Sequence, residues 1–179
     1  YLKKIPAIFL DRDGVINKEI NFKVEDPSIL LPNTLKAIKK INLSKYLIII
    51  ITNQPAVAKG FITEKKLNFL HMKLETKLGN FGAYIDDIFY CPHHPLKGFK
   101  GENKSLKIKC KCRKPNIGLI EKAKKKNNID LKKSFFVGNS EFDKLCAKKA
   151  GIKYFEINNK FQNLFEILRS NQKLIRITI

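Results

Sequence analysis

Ile5, Ala7, Ile8, Phe9 and Leu10 form an apolar run with no polar alternation, and a second such run fills residues 46–51. Strands that are apolar on both faces suit the centre of a parallel sheet covered by helices. Between the two runs Leu35, Ile38 and Ile41 recur at helical spacing, with Asn33 or Thr34 placed to cap the helix. The alternation then continues. Gly60 and Thr63 introduce a helix carrying Leu67, Leu70, Leu74 and Leu78, and residues 84–90 read as a strand. Residues 117–126 read as a helix, 134–137 as a short strand, and a further helix runs to Ala150 with Gly151 as its C-cap. A strand over 152–155, a peripheral helix over 161–168 and a weak strand over 174–179 complete the series. Such an order predicts an α/β fold with a single doubly wound parallel sheet.

Composition narrows this picture. With 179 residues, 44% of them hydrophobic, the chain is expected to form one domain over residues 1–179 with a true core. No internal repeat or shift in composition marks a second domain. No apolar run is long enough to cross a bilayer, and the first residues lack a signal-peptide core. The chain starts at Tyr1 rather than Met, which predicts a trimmed chain or one cut from something longer. The net charge is +20, yet arginine stands only at Arg12, Arg113, Arg169 and Arg176 while lysines are spread throughout. That spread argues for compositional drift over a shaped nucleic-acid footprint, so no nucleic-acid partner is expected. Of the four cysteines, Cys91, Cys110 and Cys112 cluster with histidine and Cys146 stands apart. That is no disulfide framework; it predicts a reducing, cytoplasmic setting with one metal site. We expect a monomer without membrane contact.

Chemistry collects where the strands end. The first run stops at Asp11-Arg12-Asp13-Gly14, and in extended chain two residues at i and i+2 share one side. Two carboxylates so close repel, and a divalent metal would relieve them. The pair suits phosphoryl transfer: one Asp attacks phosphorus, the other handles the leaving-group proton, and Mg²⁺ neutralises the phosphate. The second run ends at Thr52-Asn53-Gln54, offering a hydroxyl to a phosphate oxygen. Lys114 supplies a compact cation, and Asp143 either reaches the metal or caps the helix that follows it. A parallel sheet brings such strand ends to one edge. A second metal is indicated by Cys91-x-His93 and Cys110-x-Cys112, three thiolates and an imidazole that make a closed tetrahedral Zn²⁺ set. The Lys- and Gly-rich loop between those pairs has few apolar residues, so a metal can order it. Residues 91–112 are therefore expected to form a zinc-binding loop, with His94 the spare imidazole.

In combination these residues resemble the haloacid dehalogenase-like phosphatases, whose four motifs are matched by Asp11-x-Asp13, Thr52, Lys114 and residues 138–143. Within that superfamily the chain is similar to the D-glycero-D-manno-heptose 1,7-bisphosphate 7-phosphatase family. The match rests on residues 9–17, Thr52-Asn53-Gln54, Cys91-Pro92-His93-His94-Pro95 and Cys112-Arg113-Lys114-Pro115. The resemblance implies a Rossmann-like domain without a large cap. It implies Asp11 as nucleophile and Asp13 as acid and base, with Thr52 and Lys114 on the phosphoryl oxygens. Arg113 would meet the substrate's second phosphate, and Asn17, Asn53 and Gln54 would line the substrate. Mg²⁺ would sit on Asp11, the Asp13 carbonyl, Asn139 and Asp143. The product would enter nucleotide-activated heptose synthesis for surface glycans.

Several positions depart from the family's pattern. Asn139 stands where Asp is usual, and a neutral amide is a weaker Mg²⁺ ligand unless Asp143 or Glu141 compensates. Pro55-Ala56 replaces Ser-Gly, Lys59 replaces Arg, and residues 19–22 differ from the family's substrate-contacting stretch. Residues 18–31, long for a connection, are expected to fold over the active site. Alternatives are a histidinol-phosphatase or another small sugar-phosphate phosphatase, a nucleic-acid 3′-phosphatase suggested by charge alone, and, from Asn139, a catalytically impaired scaffold.

Overall fold

The computed structural model describes residues 3–18, 29–158 and 162–176. Its elements are β1 (Ala7–Leu10), α1 (Thr34–Asn42), β2 (Leu47–Asn53), α2 (Glu64–Asn80) and β3 (Asp87–Cys91), then α3 (Gly118–Asn127), β4 (Phe135–Gly138), α4 (Glu141–Ala150), β5 (Lys153–Glu156), α5 (Leu164–Ser170) and α6 (Gln172–Ile175). The five strands are parallel, in the order β3-β2-β1-β4-β5. This is the doubly wound α/β sheet that the sequence pattern predicts.

The unbroken apolar runs find their reason in two separate cores. Ile8 and Leu10 of β1 and Ile48 and Ile50 of β2 face one core, shared with Ala37, Ile38 and Ile41 of α1 and with Leu164, Ile167 and Leu168 of α5. Ala7, Phe9, Ile49 and Ile51 face the other, built with Leu119, Ile120 and Ala123 of α3 and with Cys146 and Ala147 of α4. Both faces are thus covered. The four isoleucines of β2 are fully buried. At about 1.5–3 kcal/mol for each buried side chain, their sum matches the net stability of a whole domain, so a polar residue at any of them threatens the fold.

The order of strands also fixes the site. The chain winds outward from β1 through β2 to β3, then returns to place β4 on the other side of β1. Neighbouring strands β1 and β4 therefore lead into connections on opposite faces, and the crevice between their ends is where open α/β sheets bind ligands. Asp11 N donates to Val137 O at 3.1 Å, so the β1–β4 pairing reaches the first residue of the acidic loop.

Local details differ from the sequence expectation in four places. Asn33 precedes α1 with φ 60° and gives no side-chain cap, while Thr34 is the first helical residue and donates from Oγ1 to Ile16 O. β3 begins at Asp87 because Tyr84 bonds through N and O to the Asn42 side chain, and Asp86 Oδ2 accepts from Ile48 N. The expected strand over 174–179 is instead the end of α6, where Ile175 is buried against α1 and α5, with residues 177–179 outside the described set. The helix expected over 161–168 runs over Leu164–Ser170, capped by Asn163, and Phe161 lies outside the described residues. Residues 19–28, including the stretch 19–22 and the expected cover over the site, also lie outside them, although Lys18 N donates to Ile29 O and Leu31 N to Ile16 O.

Candidate active site

The acidic loop turns immediately after β1. Gly14 has φ 79°, a conformation L side chains rarely adopt, and a Cβ there would fall 2.0 Å from Asn139 Nδ2. The loops after β1 and β4 thus interlock through a missing side chain. Beneath them a Cβ on Gly138 would lie 2.5 Å from Asp143 Cβ, so the glycine lets Asp143 tuck under the end of β4. Ser140 and Asp143 form a capping box at the start of α4. Asp143 Oδ2 accepts from Asn139 N, Ser140 N and Ser140 Oγ at 3.3, 3.1 and 2.6 Å.

Lys114 joins these two acids. Its ammonium lies 2.9 Å from Asp11 Oδ1 and 2.5 Å from Asp143 Oδ1, and donates to Ile51 O at 2.9 Å. All three side chains are largely out of water. Burial opposes the charge on Lys114, but the Asp11 and Asp143 carboxylates outweigh it and raise its pKa. Burial also pushes the Asp11 carboxyl up to about 6, against the pull of Lys114 and with help from Asp143 and Asp13. Asp143 Oδ1 has the ammonium as its partner and no further hydrogen bond among the described residues. Asp143 thus caps α4 through Oδ2 and pairs with Lys114 through Oδ1.

Asp13 is held differently. Arg12 grips it with Nε and Nη2 on Oδ1 at 3.2 and 3.1 Å and Nη2 on Oδ2 at 3.0 Å. Asn17 Nδ2 adds a bond to Oδ1 at 2.9 Å and Gln54 Nε2 one to Oδ2 at 2.8 Å. Gln54 also donates to Thr52 Oγ1 at 2.9 Å. Asn17 and Gln54, expected on the substrate, are buried and spend their amides on Asp13. Asn53 accepts from Lys114 N and donates to Lys114 O, which ties the end of β2 to the lysine's backbone. Arg113 Nη1 donates to His93 O at 3.2 Å. Glu141 is exposed and pairs with Lys144 instead of facing the site.

Two residues of this network were not singled out by their sequence context. Arg12 is almost wholly buried, and its Nη1 donates to His71 Nε2 at 3.0 Å. The available sign was His71 itself, one imidazole on the apolar face of α2, four residues after Leu67 and three before Leu74.

A thiol cluster stands beside this centre. Cys91, His93, Cys110 and Cys112 present ligand atoms all within 4.8 Å of one another. The sulfurs are 3.1–3.5 Å apart, and His93 Nδ1 is 3.6 Å from Cys91 Sγ and 3.2 Å from Cys112 Sγ. His94 instead packs edge-on against Phe99. Burial and neighbouring sulfurs push the Cys91 thiol up, so a thiolate there calls for a cation.

Residues 8–167 match the family model described as polynucleotide kinase 3 phosphatase. A crystal structure of D,D-heptose 1,7-bisphosphate phosphatase from B. bronchiseptica, complexed with magnesium and phosphate, has a TM-score of 0.76 at 28% identity, covering 96% of this chain and 99% of that one. Fold and relationship together define a haloacid dehalogenase-like phosphatase, an enzyme that hydrolyses phosphate monoesters. The D-glycero-alpha-D-manno-heptose-1,7-bisphosphate 7-phosphatase of Photorhabdus laumondii is 44% identical over 151 residues, 83% of this chain and 80% of its own length. The D-glycero-beta-D-manno-heptose-1,7-bisphosphate 7-phosphatase of Escherichia coli K12 is 32% identical, over 84% and 77% of the two chains. The chain belongs to the D-glycero-D-manno-heptose-1,7-bisphosphate 7-phosphatase family. Among the described residues no helix is long and apolar enough to cross a membrane.

Proposed function

We propose that this enzyme removes the 7-phosphate of D-glycero-D-manno-heptose 1,7-bisphosphate through an aspartyl-phosphate. The observation that carries the reading is the buried Lys114 ammonium shared by Asp11 and Asp143 at the β1–β4 switch, with Asp13 one residue beyond Arg12. Asp11 takes one hydrogen bond from Arg12 N at 2.7 Å and the ion pair from Lys114, both on Oδ1. Its Oδ2 is left for attack. An Asp11 oxygen forms a bond to phosphorus as the ester P–O bond breaks, and the Asp13 carboxyl gives its proton to the departing sugar oxygen. Water then attacks the phosphorus, Asp13 takes the water proton, and the bond to Asp11 breaks to return its carboxylate and release inorganic phosphate. Thr52 and Lys114 hold the phosphoryl oxygens. Arg113, anchored by one N–H, keeps other donors for the 1-phosphate.

The donor set fits Mg²⁺. Asp11, the Asp13 carbonyl, Asn139 and Asp143 are hard oxygen ligands, and Asp143 Oδ1 is a buried oxygen met by the Lys114 ammonium and by no N–H or O–H donor of the backbone or of another side chain among the described residues. Bound there, Mg²⁺ supplies charge neutralisation to the transferring phosphoryl group. The cluster of Cys91, His93, Cys110 and Cys112 fits Zn²⁺, for which Zn–S bonds of about 2.3 Å put sulfurs about 3.8 Å apart, close to the spacing observed. The reading includes one domain over residues 1–179 with a zinc-binding loop at 91–112, working as a cytoplasmic monomer on a phosphorylated sugar.

A second reading, a nucleic-acid 3′-phosphatase, draws on the matched family model and the charge of +20. One substrate panel separates them: both anomers of the heptose bisphosphate, histidinol phosphate and a 3′-phosphorylated oligonucleotide. We expect the highest kcat/KM on a heptose bisphosphate, with the alpha anomer first to try given the 44% relative. A preference for the oligonucleotide overturns the sugar reading, and no phosphate release at saturating Mg²⁺ favours the scaffold.

A further inference from the structure

Arg12 lies between the two catalytic carboxylates in sequence, and its guanidinium is buried. Every hydrogen-bond partner of its guanidinium among the described residues accepts an N–H. Nε and Nη2 bond Asp13, Nη2 also bonds Gln54 Oε1 at 3.0 Å, and Nη1 bonds His71 Nε2 at 3.0 Å. Arginine has donors only, so His71 Nε2 must be an acceptor and the imidazole must be neutral with its proton on Nδ1. Burial and the adjacent guanidinium both depress the pKa of His71, to about 4, which keeps that form.

The geometry has a mechanical meaning. A guanidinium is planar, and fixing Nη1 at one edge fixes the orientation of the opposite edge, where Asp13 is gripped. His71 belongs to α2, whose Leu67, Leu70, Leu74 and Leu78 are buried, and its ring lies 5.4 Å from that of Tyr90. It is thus a fixed point. Asp13, by contrast, sits on a turn of irregular backbone. Removing the acceptor would leave a buried N–H unsatisfied and free the guanidinium to rotate, and a small displacement of an acid–base group costs large factors in rate.

We propose that His71 is a positioning residue for the acid–base step, acting through Arg12 on Asp13 while touching neither substrate nor reacting atoms. The proposal rests on the reading of Asp13 as the proton donor and acceptor. Asp13 as seen here accepts at both oxygens, the form that takes a proton from water. In the acid form one of these contacts yields to the proton that passes to the leaving oxygen, and the Arg12 plane decides where that proton points.

The test compares the first step with two esters, measured as single-turnover phosphorylation of full-length enzyme by rapid quench with Mg²⁺ present. An alkyl ester such as the heptose 7-phosphate needs a proton on its leaving oxygen; 4-nitrophenyl phosphate releases a phenolate without one. The ratio of the two rates cancels any loss of folded enzyme. In His71→Leu we expect the alkyl rate to fall about 30-fold, within the range general acid catalysis supplies. The aryl rate should change less than about threefold and KM less than about twofold on that same reading. His71→Gln, which keeps an acceptor near the Nε2 position, should recover most of the alkyl rate. Equal losses on both esters with no recovery in His71→Gln mean a merely structural histidine and overturn the proposal. An unchanged alkyl rate in His71→Leu overturns it as well. Asp13→Asn is the control. If it shows the ester difference and His71→Leu does not, only the positioning role fails; if Asp13→Asn shows none, the acid–base reading fails and takes the proposal with it.

Discussion

The carboxylate site and the thiol cluster are separated along the chain by Arg113 alone, yet they are assembled in contrary ways. Asp11, Thr52, Lys114 and Asp143 come from four distant segments, brought together because β1, β2 and β4 are neighbours in one sheet. The thiol cluster comes from two short pairs, Cys91 with His93 at the end of β3 and Cys110 with Cys112 further along the loop that follows. In the first, opposite charges and buried N–H donors balance one another in the protein itself. In the second, three thiols and an imidazole meet, a set that on the proposed zinc reading a cation would hold together. A site of the first sort depends on the whole fold. The second, on the zinc reading proposed above, would depend on one ion and order its own loop.

The sharpest way to break the comparison is Asp11→Asn. Turnover should fall by at least ~10⁴-fold, the scale of losing a covalent nucleophile, while the melting temperature stays near wild type. Unchanged activity would remove Asp11 from the reaction. Next comes Lys114→Met, which strands two buried carboxylates. Breaking a buried pair by removing one partner costs about 3–5 kcal/mol, and urea unfolding at neutral pH should read a loss of that size. A loss below 1 kcal/mol would mean that the charges are not balanced by the lysine.

Acid is the third probe. His71 has a folded pKa of about 4 against an ordinary value of 6.5. Above about 6.5 both folded and unfolded forms are neutral and its contribution to stability is constant. As pH falls from 6.5 towards 4 the unfolded chain binds the proton first and the folded state loses ground, by about 3 kcal/mol in all. His71→Gln should flatten the urea midpoint across that window relative to wild type, and parallel curves would refute the buried neutral imidazole. The smallest effect belongs to the cluster. Cys112→Ser should lower zinc, measured in purified protein, from about one equivalent to near zero and the melting temperature by about 5 °C. Cys112 packs against the core of α3 and α4 without being a fully buried member of it, so a collapse of the whole fold would mean that the cluster supports more than its own loop.

The legibility of the chain follows the same division. The cysteine and histidine pairs could be read directly because their ligands are two residues apart. Strands β1 and β2 could be read because both faces are covered, leaving runs with no polar interruption. Asp11 and Asp13 were legible as a pair at a strand end, but their company was not. Arg12 meets His71 across 59 positions, and no local pattern distinguishes an arginine about to be buried. Asn53 and Gln54 were visible as polar groups at a strand tip; that they serve Lys114 and Asp13 depends on which loop lies opposite. The weak strand at 174–179 failed for another reason. Leu174 and Ile175 carry no pattern that separates strand from helix, and packing of Ile175 beside α5 decided it.

The short chain between the two centres sets a limit on independent motion. Two residues span at most about 7 Å when fully extended, so Lys114 cannot stray far from Cys112, whatever the rest of the loop does. Its backbone is pinned again by both ends of the Asn53 amide. A metal that immobilises Cys112 thereby shortens the tether on the ammonium between Asp11 and Asp143, and the loop's order becomes a statement about where a positive charge spends its time.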